Sequence, residues 1–600
     1  MAKQYYSSRN LKFLLYETHD AEELLQYERF AHMDKETMDM MLDTAQQIGD
    51  THLYPHLKSM DHDEPEAKNG AVTVHPKIGP WFKEMGEGGW LSVNAPLDSG
   101  GMQAPTILES CFSFIFQAAN NGCYPFVGLT KGSANLIESF GSQELKDEFL
   151  PKMYAGKYTG TMCLTEPDAG SSLSDMKSSA TPQNDGSYKI KGQKIFITAG
   201  DHQHADNVIH LLLARIDGAP AGTKGISLFV VPKLREEDGK MVPNDIIAAS
   251  IFHKMGQKSA PACHMVMGEK DNCVGYLVGQ PNKGLTYMFQ MMNEARIMVG
   301  VTGVSIASAA YYSALEYANE RPQGRRLNEK DPLKPPTMII NHPDVKRMLL
   351  MQKAVIEGSL SLVLECAKYH DLSHTTTGDE QNKYALLLDL LTPIAKTFPC
   401  EYGIASVSNA LQVFGGYGYT TDFELEQFYR DIRITTIYEG TTGIQSLDLL
   451  GRKVTQANGK SIQYLRSMIG ATTEEAKTYE DLKRYADQLD TEVQRMGQVT
   501  SHLLQFALKG DNERFLADAN LYMDLFSIIT VGWQWLKQAV VAKRELITNN
   551  PQGSELDFYE SKLHTMKYWF HYEMPKTQGL ATRLMDDEVL TITDKTEIFA

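Results

Sequence analysis

Ile437-Tyr-Glu-Gly-Thr-Thr-Gly-Ile-Gln445 is the stretch on which the reading of this chain turns. Ile444, Leu447 and Leu450 recur at helical spacing, so a helix begins just after Gly440, with Thr441 or Thr442 as its N-cap. Glu439 therefore stands just before a helix N-terminus, between an aromatic residue and a glycine. A carboxylate there is either a structural cap or a base with room beside it for a substrate. Upstream lie Gln412-Val-Phe-Gly-Gly-Tyr-Gly-Tyr419 and Arg430-Asp431, where Gly415, Gly416 and Gly418 permit close backbone contact.

Two further stretches stand out. Met162-Cys-Leu-Thr-Glu-Pro-Asp-Ala-Gly-Ser-Ser172 is rich in small and hydroxyl residues, which let backbone amides approach a ligand. Read blandly, it is an ordinary Pro/Gly turn. Gln193-Lys-Ile-Phe-Ile-Thr-Ala-Gly200 sets an aromatic in a strand before a Gly turn; it flanks a flat ring or simply packs.

Periodicity divides the chain around these stretches. Residues 1–160 read as helical; Met38, Met41, Leu42 and Ala45 share one helix face. Residues 161–280 carry short apolar runs of strand length and an Asp185-Gly186 hairpin signal, a β-domain of barrel or sandwich kind. Helical texture returns over 281–455, with Pro393 predicted to kink or start a helix. The last segment, 456–600, is again helical, with a packing seam of Leu482, Ala486, Leu489, Val493 and Met496. Helices, then strands, then a helical bundle make an α+β order, not the alternation of a parallel nucleotide-binding sheet.

Composition narrows the function. With 58 Lys and Arg against 75 Asp and Glu, the net charge is −17, which argues against a nucleic-acid binder. No segment reads as a transmembrane span, and residues 1–10 lack the apolar core of a secretory signal. Seven scattered cysteines without a C-x-x-C pair point to reduced thiols in a cytoplasmic setting, and no metal site is expected. Cys163 reads as a packed small residue, because no His neighbours it in sequence, and His253 as a structural hydrogen-bonder.

Taken together, the three stretches resemble the acyl-CoA dehydrogenase family, whose pattern runs T-E-P-x-A-G-S, [WF]-I-T-x-G, Q-x-[FL]-G-G-x-G, R-D and I-Y-E-G-T. All five pieces occur in order over 284 residues, from Met162 to Gln445. The length, His253-Lys-Met-Gly256 and Gly275-Tyr-Leu-Val-Gly279 resemble more narrowly a long bacterial subgroup with an added C-terminal helical domain.

The resemblance implies an N-terminal helical domain, a central β-domain, a four-helix bundle and the extra helical domain. It also implies bound FAD, an acyl-CoA substrate and a trans-2-enoyl-CoA product. Glu439 matches the family's base, whose own backbone N–H also polarises the thioester with a ribityl hydroxyl. Met162, Leu164, Thr165, Gly170 and Ser171 match residues around the flavin, and Phe196, Ile197 and Thr198 its other flank. Arg321, Gln323, Gln412, Gly415 and Gly416 match residues reaching the FAD of a neighbouring subunit, which implies a homo-oligomer, dimer or tetramer. Thr441 matches a further FAD contact. Ser171, Asn293, Arg296, Tyr438 and Gly440 match the substrate side, Arg296 equally serving as an ion-pair partner within its helix.

Electrons then pass to electron-transfer flavoprotein, or to oxygen as in the related oxidases. Three positions depart from the pattern. Ser172 stands where Asp is common, Arg321-Pro-Gln-Gly-Arg325 replaces R-x-x-F-G, and Gly443 occupies a frequent Gln position.

Overall fold

The structure is a computed structural model that describes residues 2–600, apart from the side chains of residues 289–292. By contact it divides into two units, one of residues 35–105 and 112–295, the other of residues 2–34, 106–111 and 296–600.

In the first unit, a helix Lys35–Ile48 buries Met38, Met41, Leu42 and Ala45, the face its spacing predicts. Two strands within this helical region, β1 (Glu66–Lys68) and β2 (Ala71–Thr73), form a hairpin too short for periodicity to reveal. The remaining strands are β3 (Tyr158–Cys163), β4 (Ser179–Pro182), β5 (Tyr188–Thr198), β6 (Asn207–Ile216), β7 (Ile226–Pro232), β8 (Leu234–Glu237), β9 (Lys240–Pro243), β10 (Ile246–Phe252), β11 (Ala262–Met267) and β12 (Val274–Val278).

Among the described residues, eight strands join in one sheet in the order β10-β11-β5-β12-β7-β6-β3, with β4 pairing both β5 and β6. That second pairing closes β5, β12, β7, β6 and β4 into a small barrel. Closure removes the free edges of those strands and fills the interior with side chains. Ile209, Leu211, Leu213, Leu228 and Val230 are buried in the core against which Met162 and Leu164 pack. The Asp185-Gly186 turn joins β4 to β5 as its residues predict, with Gln183 N–H donating to Ser187 at 2.8 Å.

The second unit is helical. Gly378–Phe414 is one continuous helix that contains both Pro393 and Pro399, so no helix starts at Pro393. Packing overrides the lost hydrogen bonds. Pro399 cannot donate to the Ala395 carbonyl, and Gly300 of the Gly284–Glu320 helix comes so near this oxygen that an added Cβ would lie 2.1 Å away. The seam at Leu482, Ala486, Leu489, Val493 and Met496 lies buried on the helix Glu480–Leu508. The central helix of the last segment, Ala519–Thr548, buries Trp533 and Trp535; Trp535 Nε1 donates to the Ala354 carbonyl at 2.9 Å.

Residues 2–34 pack in this unit. Arg9 pairs with Glu17 at 2.7 Å and Glu555 at 2.9 Å. The fully buried Lys562 donates to Glu357 at 2.7 Å and to Asn10.

Two helices, Gly284–Glu320 and Asn512–Thr548, are long and apolar enough to cross a membrane by length and composition, which corrects the reading that no segment qualifies. Of their most apolar windows, 89% and 67% are buried inside the protein, as in core helices.

Candidate active site

In the unit holding the barrel, the first two motifs meet. Ile195 N–H donates to the Thr165 carbonyl at 2.9 Å. Behind this contact, Lys194 and Glu166 form a buried ion pair at 2.9 Å, and Lys194 also donates to the Leu164 carbonyl at 3.1 Å. Glu166 further accepts from the backbone N–H of Lys177 at 2.7 Å and of Ser178 at 3.1 Å. Burial opposes its ionisation, but Lys194 and these donors hold it below the usual carboxylate range. The motif's Glu is thus an anchor for its own loop.

Phe196 points away from that anchor. β5 carries one more residue than β11 between their pairings Lys194–Met265 and Ile197–Cys263, a bulge at which Phe196 takes φ +59°. A bulky residue in that region is strained, and strain of this kind collects at binding sites. The residue is 57% exposed, and its ring centroid lies 4.6 Å from that of Phe252. Met162, Leu164, Thr165 and Thr198 are partly buried, Ile197 is buried, and Gly170 and Ser171 are exposed. A Cβ built on Gly170 would meet nothing within 4 Å, so the backbone there is open.

Cys163 does have a histidine neighbour. Parallel pairing of β3 and β6 sets Thr161 beside His210, whose Nδ1 lies 3.7 Å from the Cys163 sulfur. This cross-strand neighbour is invisible to sequence spacing. Burial pushes the thiol up to about 11 and His210 down to about 3, so both are neutral and the thiol is no nucleophile. His253 faces Glu64 at 3.3 Å.

In the helical unit, Thr441 is the N-cap of the helix Thr442–Asp448, its hydroxyl accepting from Ile444 N–H at 3.3 Å. Just before it, Glu439 and Gly440 both have positive φ, +53° and +91°. This tight turn presents Glu439 between the partly buried Tyr438 and Gly440. Gln445 Nε2 donates to the Glu439 carbonyl at 3.1 Å. Glycine suits this position because its φ of +91° strains any L residue, and a Cβ would also displace that same Nε2, 2.6 Å away. Although the residue is partly open, burial of its carboxyl pushes Glu439 above the usual carboxylate range, against the pull of Arg296 and Lys396.

Arg296 is buried and reaches another helix, not its own: its guanidinium lies 3.2 Å from Asp448. Asn293 is partly buried on the same helix as Arg296. Arg321, Gln323, Gln412, Gly415 and Gly416 are exposed, with the Arg321 guanidinium 6.0 Å from the ring of Tyr417. Tyr419 is 95% exposed.

Sequence reasoning passed over Lys396, Glu401 and Asp448, and quoted Gln445 without a role. Lys396 has a legible signal as the one charged residue between Asp389 and Glu401 in an apolar helix. Glu401, which accepts from the Thr442 hydroxyl, and Asp448 look like surface carboxylates until their partners are placed.

Four descriptions match the chain in order. Residues 35–157 match "Acyl-CoA dehydrogenase, N-terminal domain", 161–269 the middle domain and 282–454 the C-terminal domain. Residues 465–593 match "Acetyl-CoA dehydrogenase C-terminal like". A 3-methylmercaptopropionyl-CoA dehydrogenase of Ruegeria pomeroyi is 36% identical over 88% of this chain and 90% of its own. The chain belongs to the acyl-CoA dehydrogenase family.

Within the acyl-CoA dehydrogenases, a butyryl-CoA dehydrogenase of Syntrophomonas wolfei is 30% identical over 96% of this chain and 95% of its own. A Bacillus anthracis acyl-CoA dehydrogenase complexed with FAD shares the fold, with a TM-score of 0.75 and 21% identity over 95% of this chain and 91% of its own. The acyl-CoA dehydrogenase fold of helical, β and helical domains with extra C-terminal helices is thus present over 95% of this chain.

Proposed function

We propose that this protein is an FAD-dependent acyl-CoA dehydrogenase that converts an acyl-CoA thioester to its trans-2-enoyl-CoA, with Glu439 as the base. One observation carries the reading: a carboxylate made more basic by burial, on a strained turn with a glycine beside it, at the motif position of the family's base. A buried carboxyl raised in this way accepts a proton nearer neutral pH than an exposed one does. Glu439 takes the α-proton of the thioester, and Gln445, gripping its carbonyl, keeps the turn from swinging.

The residues around the Thr165–Ile195 contact fit a flavin. Hydroxyl and backbone donors at Thr165, Gly170 and Ser171 stand on an open, well-anchored loop, and the bulged Phe196 offers an exposed ring face. Bound there, FAD supplies the acceptor for the β-hydride. Met162, Leu164, Ile197 and Thr198 belong to that wall, and Thr441 matches a further FAD contact of the family. Asn293, Arg296, Tyr438 and Gly440 match the family's substrate-side positions. The exposed set Arg321, Gln323, Gln412, Gly415 and Gly416 supports a homo-oligomer in which these residues reach the FAD of a partner subunit. Family membership supports electron-transfer flavoprotein as acceptor.

The test is a visible spectrum of the purified chain, repeated after anaerobic addition of acyl-CoA thioesters of several chain lengths. A flavin spectrum that bleaches with at least one thioester is expected. A colourless chain, or a flavin that ignores every thioester, overturns the reading. Oxygen consumption by the reduced protein separates an oxidase from a dehydrogenase.

A further inference from the structure

Lys396 is fully buried in the Gly378–Phe414 helix. A buried ammonium is costly unless it is hydrogen-bonded and faces opposite charge. Its Nζ donates to the Thr435 carbonyl at 2.6 Å. Thr435 belongs to the short 3-10 turn Arg433–Thr436 that delivers the chain to Glu439, and its own hydroxyl is tied to the Ile432 carbonyl at 2.7 Å. The ammonium therefore grips the backbone four residues before Glu439.

The charges around it are few. Burial lowers its proton affinity, Glu439 and Glu401 favour its positive charge and Arg296 opposes it, while the Cys400 thiol, pushed up to about 11 by burial, stays neutral. Seen from Glu439, Arg296 and Lys396 are the two opposing cations. The charge of Arg296 is met by Asp448 at 3.2 Å.

We infer that Lys396 is a positioning residue for the reaction proposed above: it holds the turn ahead of Glu439 through the Thr435 carbonyl, and its charge keeps Glu439 available as a base. The inference rests on Glu439 being that base.

Three variants test it in the flavin-loaded enzyme. Lys396→Gln keeps a donor for Thr435 and removes the charge. Lys396→Met removes both, and spares the core an incompletely paired buried amide if Gln fails to fold. Lys396→Arg keeps the charge. Removing a cation beside a carboxylate raises its affinity for protons. The acidic limb of kcat/KM against pH should therefore move to higher pH in Gln and Met, with about tenfold loss per unit on the acid side. Arg should return the limb toward its original position.

A second readout needs no turnover: infrared titration of the Glu439 carboxyl band, assigned by its loss in Glu439→Gln. That band should protonate at higher pH in Gln and Met. A limb and a band that stay in place in both variants overturn the inference. If the unmodified chain oxidises no thioester, the proposed reaction fails instead, and the infrared titration still decides whether Lys396 governs Glu439.

Discussion

Gln445 reaches back six residues to donate a hydrogen bond to the carbonyl of Glu439, and the site of the Cβ that Gly440 lacks lies 2.6 Å from the donating nitrogen. Helix, turn and base are thereby one unit, with a helical side chain clamping the strained peptide just before the helix. The expected effects of substitution follow from that clamp and from the buried charges near it.

Glu439→Gln preserves shape and hydrogen bonding but removes the base. Turnover should fall by about 10²–10⁴ while flavin content stays at one per chain, as read by anaerobic single-turnover bleaching. A variant with near-normal bleaching would remove Glu439 from the mechanism.

Gly440→Ala puts a methyl group against Gln445 in a backbone region unfavourable to L residues. We expect kcat to drop at least about tenfold, because a misplacement of about 1 Å at a reacting group costs up to 10²-fold. Gly440→Ala combined with Gln445→Ala relieves the clash but not the φ +91°, so it should recover only part of the loss. Full recovery would show that the clash alone matters.

Breaking the buried pair of Lys194 and Glu166 strands a charge in the barrel unit. Lys194→Met should cost about 3–5 kcal/mol, read as a lower denaturation midpoint. Lys194→Met with Glu166→Gln should restore much of it. The single variant should also lose flavin, since Glu166 ties down the loop bearing Gly170 and Ser171. Unchanged stability in Lys194→Met would refute the anchoring role.

Asp524, in the Ala519–Thr548 helix, is held by burial and by Glu401 at about 6, above the 3.8 of an unperturbed aspartate, with Lys576 opposing. A carboxyl raised in the folded state binds protons more tightly there than in the unfolded chain. Its ionisation therefore costs stability above about pH 6, and the cost fades as pH falls through that value toward 3.8. Asp524→Asn should melt higher than the unmodified chain at pH 8, with the gain shrinking by pH 5. A constant gain across that range would exclude titration as the cause.

Much of the fold was legible because periodicity and motif order are local signals. The faces of Lys35–Ile48 and Glu480–Leu508 followed from their apolar spacing, and the Thr441 cap from residue type. What escaped depends on neighbours distant in sequence. The helix through Pro393 and Pro399 is sustained by packing, and His210 reaches Cys163 only through parallel strand pairing. Lys396, Arg296 and Asp448 show their roles only when helices far apart in sequence are placed side by side.

The contacts of Arg9 with Glu555 and of Asn10 with Lys562 span 546 and 552 residues of chain. During synthesis, the opening segment emerges long before its partners have been translated. Phe13, Leu14 and Leu15, buried in the finished protein, then have no finished surface to cover them. A message cut short before the last segment would thus yield more than an enzyme lacking an appendage: it would yield one whose first helix has lost the partners of Arg9 and Asn10, a substrate for quality control.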